Sequence, residues 1–340
     1  MKKFLIIQTA FIGDVILTIP VITALKNKYQ DAIIDFMCIP NTKDLLLNNP
    51  YINKIIVYDK HVDKGFSGLI KRIKKIRKEN YDYVISPHRS FRSAFMSYFS
   101  KSKNTIGFDN SSLNFLFKNK IKYLKGIHEI QRNLKLLEPV GIREDKIIKP
   151  EFFISELVKK NTRDILSKSD VTNKEKFIVA APGSVWYTKR LPEEKFIKVF
   201  NILSHYNYKI FTIGSPDEYD ICEKIIGESV NKNIFNLAGK LSLPETIELI
   251  RCSEVLLTND SAPLHMANAV ETNVVAVFGA TVPKFGFFPY GKDDVIIETN
   301  GLECRPCAIH GSNKCPIKTF VCMKKIPEEE ISGAVLKFFK

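Results

Sequence analysis

Short apolar runs alternate with amphipathic stretches along almost the whole chain. In the first half FLIIQT, AIIDFMCI, KIIVY and YDYVIS read as strands, with helices over 14–29, 42–48 and 66–79. In the second half KFIVAAPG, YKIFTIG, NIFNLAG, EVLLTND and NVVAVFG read as strands, separated by helices near 192–206, 217–229, 243–252 and 262–270. Strand–helix alternation at this spacing predicts an α/β fold of parallel sheets with helices on both faces. Two such units fit, 1–155 and 177–326, joined by a polar linker at 156–176. A last helix over 327–340 is free to pack on either unit. Open parallel sheets bind ligands beyond the carboxyl ends of their strands, so the loops that follow strands should carry the chemistry.

The first of these loops raises a question of its own. FLIIQTAFIGDVILTIPVITAL, residues 4–25, is apolar enough to resemble a secretion signal, but Gln8, Gly13 and Asp14 interrupt it and no small-residue cleavage site follows. A buried strand followed by a helix that Asp14 caps accounts for the same letters better. Asp14 then stands at a helix start beyond a strand, where it could cap, do chemistry, or both.

Composition narrows the classes. A chain of 340 residues that is 45% hydrophobic can bury two cores. No apolar stretch approaches the roughly 20 residues of a membrane span, which predicts a soluble or membrane-peripheral protein. The net charge is +14, and its distribution says more than its total. Residues 1–150 hold 27 Lys+Arg against 13 Asp+Glu, whereas residues 151–340 hold 24 of each. The whole excess therefore lies in the first half and predicts one anionic partner there. Much of it sits in GLIKRIKKIRKEN (68–80), which is either a solvated helix face or attracted to a phosphorylated glycolipid or an anionic leaflet. Nucleic acid is disfavoured, because no binding module or RNP-type aromatic pattern is present.

Three loops of the second half carry candidate chemistry. In APGSVWYTKRLPEEKF, Gly183 and Ser184 offer backbone and hydroxyl donors and Lys189-Arg190 offer charge, without P-loop spacing. In NDSAPLH, Pro263 suits a first helical turn, placing Asp260 or Ser261 at an N-cap whose free N–H groups suit a phosphate, with His265 close behind. In SPDEYD, Asp217 or Glu218 could take ribose hydroxyls. An ordinary cap or basic loop explains each one singly. Together, in this sheet context, they point to a diphosphate nucleotide. In the first half His88, Arg89, Ser90 and Arg92 follow a strand end, and His128 and Arg132 lie on neighbouring helix turns, suiting a cleft wall.

Of seven cysteines, Cys38, Cys222 and Cys252 read as buried thiols. Cys304, Cys307, Cys315 and Cys322 form C-x2-C-x7-C-x6-C, a spacing that suits a structural zinc, a cluster or redox pair, or plain thiols. Without an export signal, a reducing cytoplasm is expected.

Four stretches in this order and spacing, GDVILTIP, PGSVWYTKRLP, TIGSPDE and LLTNDSAPLHMANAV, resemble the ADP-heptose:lipopolysaccharide heptosyltransferases, inverting enzymes of glycosyltransferase family 9. The likeness spans nearly the whole chain. YDYVISPHRSFRSAF followed by TIGF matches the heptosyltransferase II pattern. The resemblance implies a GT-B fold: two Rossmann-like, doubly wound parallel-sheet domains facing a central cleft. The first would bind acceptor and the second donor, in keeping with the charge split. It implies that Asp14, behind Gly13, is the general base. Ser184 and Lys189 would hold the diphosphate, Lys189 balancing the charge of departing ADP, and Asp260, Ser261 and His265 would adjoin the donor. Ala262 stands where many members carry Gly, which narrows backbone approach to the sugar.

The implied reaction moves heptose from ADP-L-glycero-D-manno-heptose to the inner core of a lipid A-linked lipopolysaccharide. It would occur at the inner face of the cytoplasmic membrane, in contact with the anionic leaflet. No cofactor is required for the step, and a structural zinc on the four cysteines is possible. The competing expectations are transfer of another activated sugar to a different glycolipid or protein, and a non-catalytic binder of anionic polymers.

Overall fold

The computed structural model describes residues 1–63, 65–172 and 175–340. The chain divides into two units, Met1–Phe153 and Ile154–Lys340.

The first unit holds strands β1 (Lys3–Ile7), β2 (Ile33–Cys38), β3 (Lys54–Val57), β4 (Tyr83–Ser86), β5 (Asn104–Phe108) and β6 (Asn119–Ile121). Its helices are α1 (Ile12–Ile16), α2 (Ile19–Lys28), α3 (Gly65–Lys78), α4 (Phe91–Phe99) and α5 (Glu129–Lys135). The sheet is wholly parallel, in the order β3-β2-β1-β4-β5-β6. This is the order of doubly wound nucleotide folds, and the winding reverses between β1 and β4. Helices on both faces leave Phe4, Leu5, Ile6 and Ile7 with no exposure, which is why β1 reads as an unbroken apolar run.

The second unit repeats the plan. Helix α6 (Glu156–Lys168) precedes β7 (Ile178–Ala181), α7 (Glu193–Leu203), β8 (Ile210–Thr212), α8 (Tyr219–Glu228) and β9 (Ile234–Asn236). Then follow α9 (Leu243–Cys252), β10 (Val255–Asn259), α10 (Ala262–Ala269), β11 (Asn273–Phe278), β12 (Val295–Glu298), α11 (Val321–Lys324) and α12 (Glu328–Leu336). The parallel order β12-β11-β10-β7-β8-β9 reverses between β7 and β10.

The structure departs from the sequence expectation in several places. The helix expected over 14–29 is broken at Leu17–Thr18. Thr18 donates to the Asp14 carbonyl at 2.8 Å, and the Asn133 amide donates to the Leu17 carbonyl at 3.0 Å. Strands β6 and β12 escaped notice because they are short edges with too few buried positions to form a pattern, and β5 because Asn104, Thr105 and Gly107 interrupt its apolar run although four of its five positions are buried. The helix α4, FRSAFMSYF, hides behind serines that bond their own backbone; Ser97 donates to the Ser93 carbonyl at 2.8 Å.

The segment expected as a linker, 156–176, is mostly the helix α6, capped by the Ser155 hydroxyl and packed on α9; 173–174 lie outside the described residues. Thr162 and Leu166 are its buried positions, too few to stand out in so charged a stretch. The terminal helix α12 belongs to the second unit: Ile331 and Val335 share a core with Phe196, Val199 and Phe200 of α7. Among the described residues no helix is long and apolar enough to cross a membrane.

Candidate functional site

Each sheet gathers candidate side chains where its winding reverses. In the second unit the β7 loop and the end of β10 lie side by side there. Asn259, the last residue of β10 and wholly buried, ties them together. Its amide donates to the carbonyls of Pro182 (2.7 Å) and Gly183 (3.2 Å), and its oxygen accepts from Leu191 N–H at 2.9 Å. The loop from 182 to 191 is thus closed at both ends by one side chain. Arg190 Nε donates to the Ser184 carbonyl at 2.6 Å and tightens the same loop.

Lys189 reaches across this loop to Asp260, Nζ to Oδ2 2.7 Å, and the Thr281 hydroxyl donates to the same oxygen at 2.6 Å. Ser261, not Asp260, is the N-cap of α10, and its side chain makes no capping bond to the helix. Ala262 and Pro263 begin the first turn, and His265 is buried behind it. Ser184 is buried in the loop that Asn259 ties to the end of β10. Six of the expected donor residues, Gly183, Ser184, Lys189, Asp260, Ser261 and Ala262, are therefore gathered at one strand-end junction.

The two acidic candidates separate. Glu218 accepts from Ser215 N–H at 2.8 Å and from its hydroxyl at 3.2 Å, and its carboxylate lies against Gly183, where any larger side chain would displace it. Asp217 points to solvent. Of the pair, only Glu218 touches the β7 loop.

In the first unit, the β1 and β4 ends meet through His88. Its Nδ1 lies 2.8 Å from the Thr9 hydroxyl and 3.2 Å from that of Ser93, while Ser90 caps α4 through Ser93 N–H. Burial, with Lys60 and Arg89 adding to it, pushes the His88 imidazole down to about 4, so it is neutral at pH 7. Asp14 occupies the third position of α1, not the cap: its carboxylate reaches back to Phe11 N–H at 3.3 Å. The break after Leu17 leaves α1 only five residues long, so this N–H, more than a long helix dipole, faces the carboxylate. Gln8 and Asn133 pin the break, Gln8 donating to the Thr18 hydroxyl at 3.0 Å.

The other expected acceptor residues divide. Arg89 lies over the Tyr123 ring at 4.5 Å, and its carbonyl receives Ser112 N–H at 3.0 Å. Arg92 is half-buried on α4. His128 and Arg132 are buried, and their described bonds hold their own turn. His128 caps α5, while Arg132 donates to the Leu124 (2.8 Å) and Ile127 (3.0 Å) carbonyls and pairs with Glu129. The i, i+4 spacing of this pair thus serves the N-terminal turn of α5.

The cysteine-rich segment packs beside Lys189. Thr188 and Ser312 exchange backbone N–H to carbonyl (3.0 Å) and N–H to hydroxyl (2.8 Å) bonds, and Gly311 lies against Lys189 and Trp186. Cys307 donates to the Cys304 carbonyl at 3.0 Å, Cys315 accepts from Phe320 N–H at 3.4 Å, and Cys322 is buried in the core. Among the described residues no group of three or more His, Cys, Asp or Glu side chains is arranged to hold a metal ion. Cys252, expected to be buried, is exposed at the end of α9.

Sequence reasoning missed Asn259, Thr281, Thr9 and Ser312. Asn259 left one signal, a polar residue closing an otherwise apolar strand. The others are visible only through their partners.

Comparison with known proteins agrees with this geometry. The family model described as Glycosyltransferase family 9 (heptosyltransferase) matches residues 69–317. Lipopolysaccharide heptosyltransferase 3 of Escherichia coli K12 is 30% identical over 79% of this chain and 80% of its own length. Lipooligosaccharide heptosyltransferase 2 of Haemophilus influenzae Rd is 29% identical over 83% and 85%. The crystal structure of a family 9 glycosyl transferase from Veillonella parvula superposes with a TM-score of 0.86 at 22% identity, covering 99% of this chain and 97% of that one. The fold is accordingly the GT-B type expected from sequence. Types 2 and 3 match almost equally, so similarity alone does not single out the type II pattern.

Proposed function

The chain belongs to glycosyltransferase family 9, the heptosyltransferases, and on that premise we propose that it transfers heptose from ADP-heptose to the inner core of lipopolysaccharide with inversion. The observation that carries the donor half is the junction of β7 and β10. There Ser184, Lys189 and the N-cap Ser261 bring a hydroxyl, a cation and open helix N–H groups to one strand-end edge, a set suited to a diphosphate. Glu218, against Gly183, is the carboxylate suited to the ribose hydroxyls.

Asp14 is the base that takes the acceptor proton. Inversion needs that base on one face of the anomeric carbon and a stabilised leaving group on the other. Lys189 offsets the charge that grows on departing ADP. A carboxylate is a weak base toward an alcohol, so the proton moves late, as the acceptor oxygen bonds to carbon. Neutral His88 and the cationic Arg89 and Arg92, at the β4 end, orient the acceptor and its anionic groups. Base and donor grip belong to different units, Asp14 to the first and Lys189 to the second. The pattern of residues 81–95 followed by TIGF favours a type II acceptor.

The test is incubation with ADP-heptose and a series of defined truncated cores, followed by ADP measurement and product mass. One heptose added to a single core type, with stoichiometric ADP, is expected. Absence of both ADP release and mass gain across the series would overturn the reading.

A further inference from the structure

We infer that the face of the first unit built by α3 and α4 is a docking surface for an anionic lipid bilayer. The inference stands on charge and aromatic placement and needs nothing from the reaction.

Helix α3 has two faces. Leu69, Ile73 and Ile76 are buried with Tyr58, Tyr81 and Met96. Lys71, Lys74, Lys75 and Lys78 are all exposed and recur at i, i+3, i+4 and i+7, one stripe along the helix. The neighbouring acids are already engaged: Asp63 with Arg72 at 2.5 Å, and Glu79 with Lys3 at 2.7 Å and Lys54 at 3.0 Å. The stripe therefore keeps its charge.

Beside it runs a row of rings. Phe66, on the first turn of α3, meets Phe95 of α4 at 5.8 Å. Phe95 meets Phe91 at 5.6 Å and Phe99 at 4.4 Å, and Phe99 meets Tyr98 at 4.9 Å. Phe66, Phe91 and Tyr98 are 61%, 47% and 51% exposed. Scattered apolar residues on a surface need no explanation, but a contiguous aromatic row beside a lysine stripe does. A bilayer interface satisfies both, taking rings at headgroup level and ammonium groups against lipid phosphates.

The kind of cation favours lipid over nucleic acid. The two guanidinium groups of α3 are withdrawn into the protein, Arg72 to Asp63 and Arg77 Nε to the Phe99 carbonyl at 2.5 Å. What remains outside is ammonium, a point charge without the planar fork that reads phosphates and bases in fixed geometry.

The test is sedimentation of the full chain with vesicles of phosphatidylglycerol and phosphatidylcholine, or of phosphatidylcholine alone. A preference of at least about tenfold for the anionic vesicles, falling as salt rises, is expected. K71Q/K74Q/K75Q/K78Q should lose at least about tenfold in binding. F66S/Y98S should lose severalfold, and more of what binding survives at high salt. Both variants should retain transfer to a soluble, delipidated core, which separates docking from the reaction. If either variant melts early, single lysine substitutions and the salt titration of the unaltered chain decide instead. Equal binding to both vesicle types, or indifference to both sets of substitutions, would overturn the proposal. So would tighter capture by single-stranded oligonucleotide than by anionic vesicles.

Discussion

Lys189 Nζ and Asp260 Oδ2 lie 2.7 Å apart and join the loop after β7 to the end of β10, 71 residues later in the chain (260 − 189). Their side chains are 15% and 6% exposed, so the pair is largely withdrawn from water. Removing one partner of such a pair strands the other charge, at about 3 kcal/mol. Lys189→Ala should therefore both destabilise the second unit and lower transfer by at least about 100-fold. Lys189→Ala with Asp260→Asn should recover most of the stability but none of the transfer. Urea melts and ADP release, measured on the same preparations, separate the two effects.

Asp14→Asn keeps an acceptor for Phe11 N–H and removes the carboxylate proposed as the base. Transfer should fall by about 1,000-fold or more while donor affinity is unchanged. Trp186, the only tryptophan, lies in the 182–191 loop three residues before Lys189, so its fluorescence should report donor binding in the mutant if that loop holds the donor. Turnover like that of the unaltered enzyme would reduce Asp14 to helix capping.

His88 sets a pH dependence. Its folded value is about 4 and its unfolded value about 6.5, so the unfolded chain binds the extra proton first as pH falls. The stability from keeping it neutral is complete above about 6.5 and lost progressively down to about 4, up to about 3 kcal/mol in all. His88→Asn should flatten that part of the profile in melts between pH 7 and 4. A profile unchanged by the substitution would count against a buried neutral imidazole.

Asn259 makes three bonds that close the 182–191 loop. Asn259→Ala leaves buried backbone groups unpaired, costing about 2–4 kcal/mol, and should raise the donor KM more than it lowers kcat.

The cysteines should differ in reactivity. Burial raises the Cys38 and Cys322 thiols to about 11 and Cys222 to about 12. Cys315 loses some water as well, but the N–H groups of Phe320, Ile317, Thr319 and Lys318 outweigh that and lower its thiol. Iodoacetamide at neutral pH should label Cys315 well before those three, as read by peptide mass.

The legible part of the fold was the part with local signals. Strands buried on both faces wrote themselves as apolar runs, and the loops after β1, β7 and β10 could be located because they end such runs. The edge strands β6 and β12 and the charged α6 could not, since each buries too few residues to impose a period, and α4 could not because two of its four buried positions are serines. Asp14, Ser184 and Lys189 were singled out through position after a strand, and the structure places each in such a loop or at the helix start that follows it. The local bonds of His128 and Arg132 were not legible, because a helix-spaced polar pair looks the same whether it faces a ligand or caps its own turn.

The sequence by itself determined the alternation of elements, the basic first half and the strand ends where chemistry would gather. Only the tertiary structure decided which of those ends are neighbours. Asn259 meets the Pro182 carbonyl 77 positions away, and Thr9 meets His88 79 positions away, because β10 pairs with β7 and β1 with β4. Strand pairing is a long-range choice made by burying both faces of a sheet at once, and no short window of residues contains it.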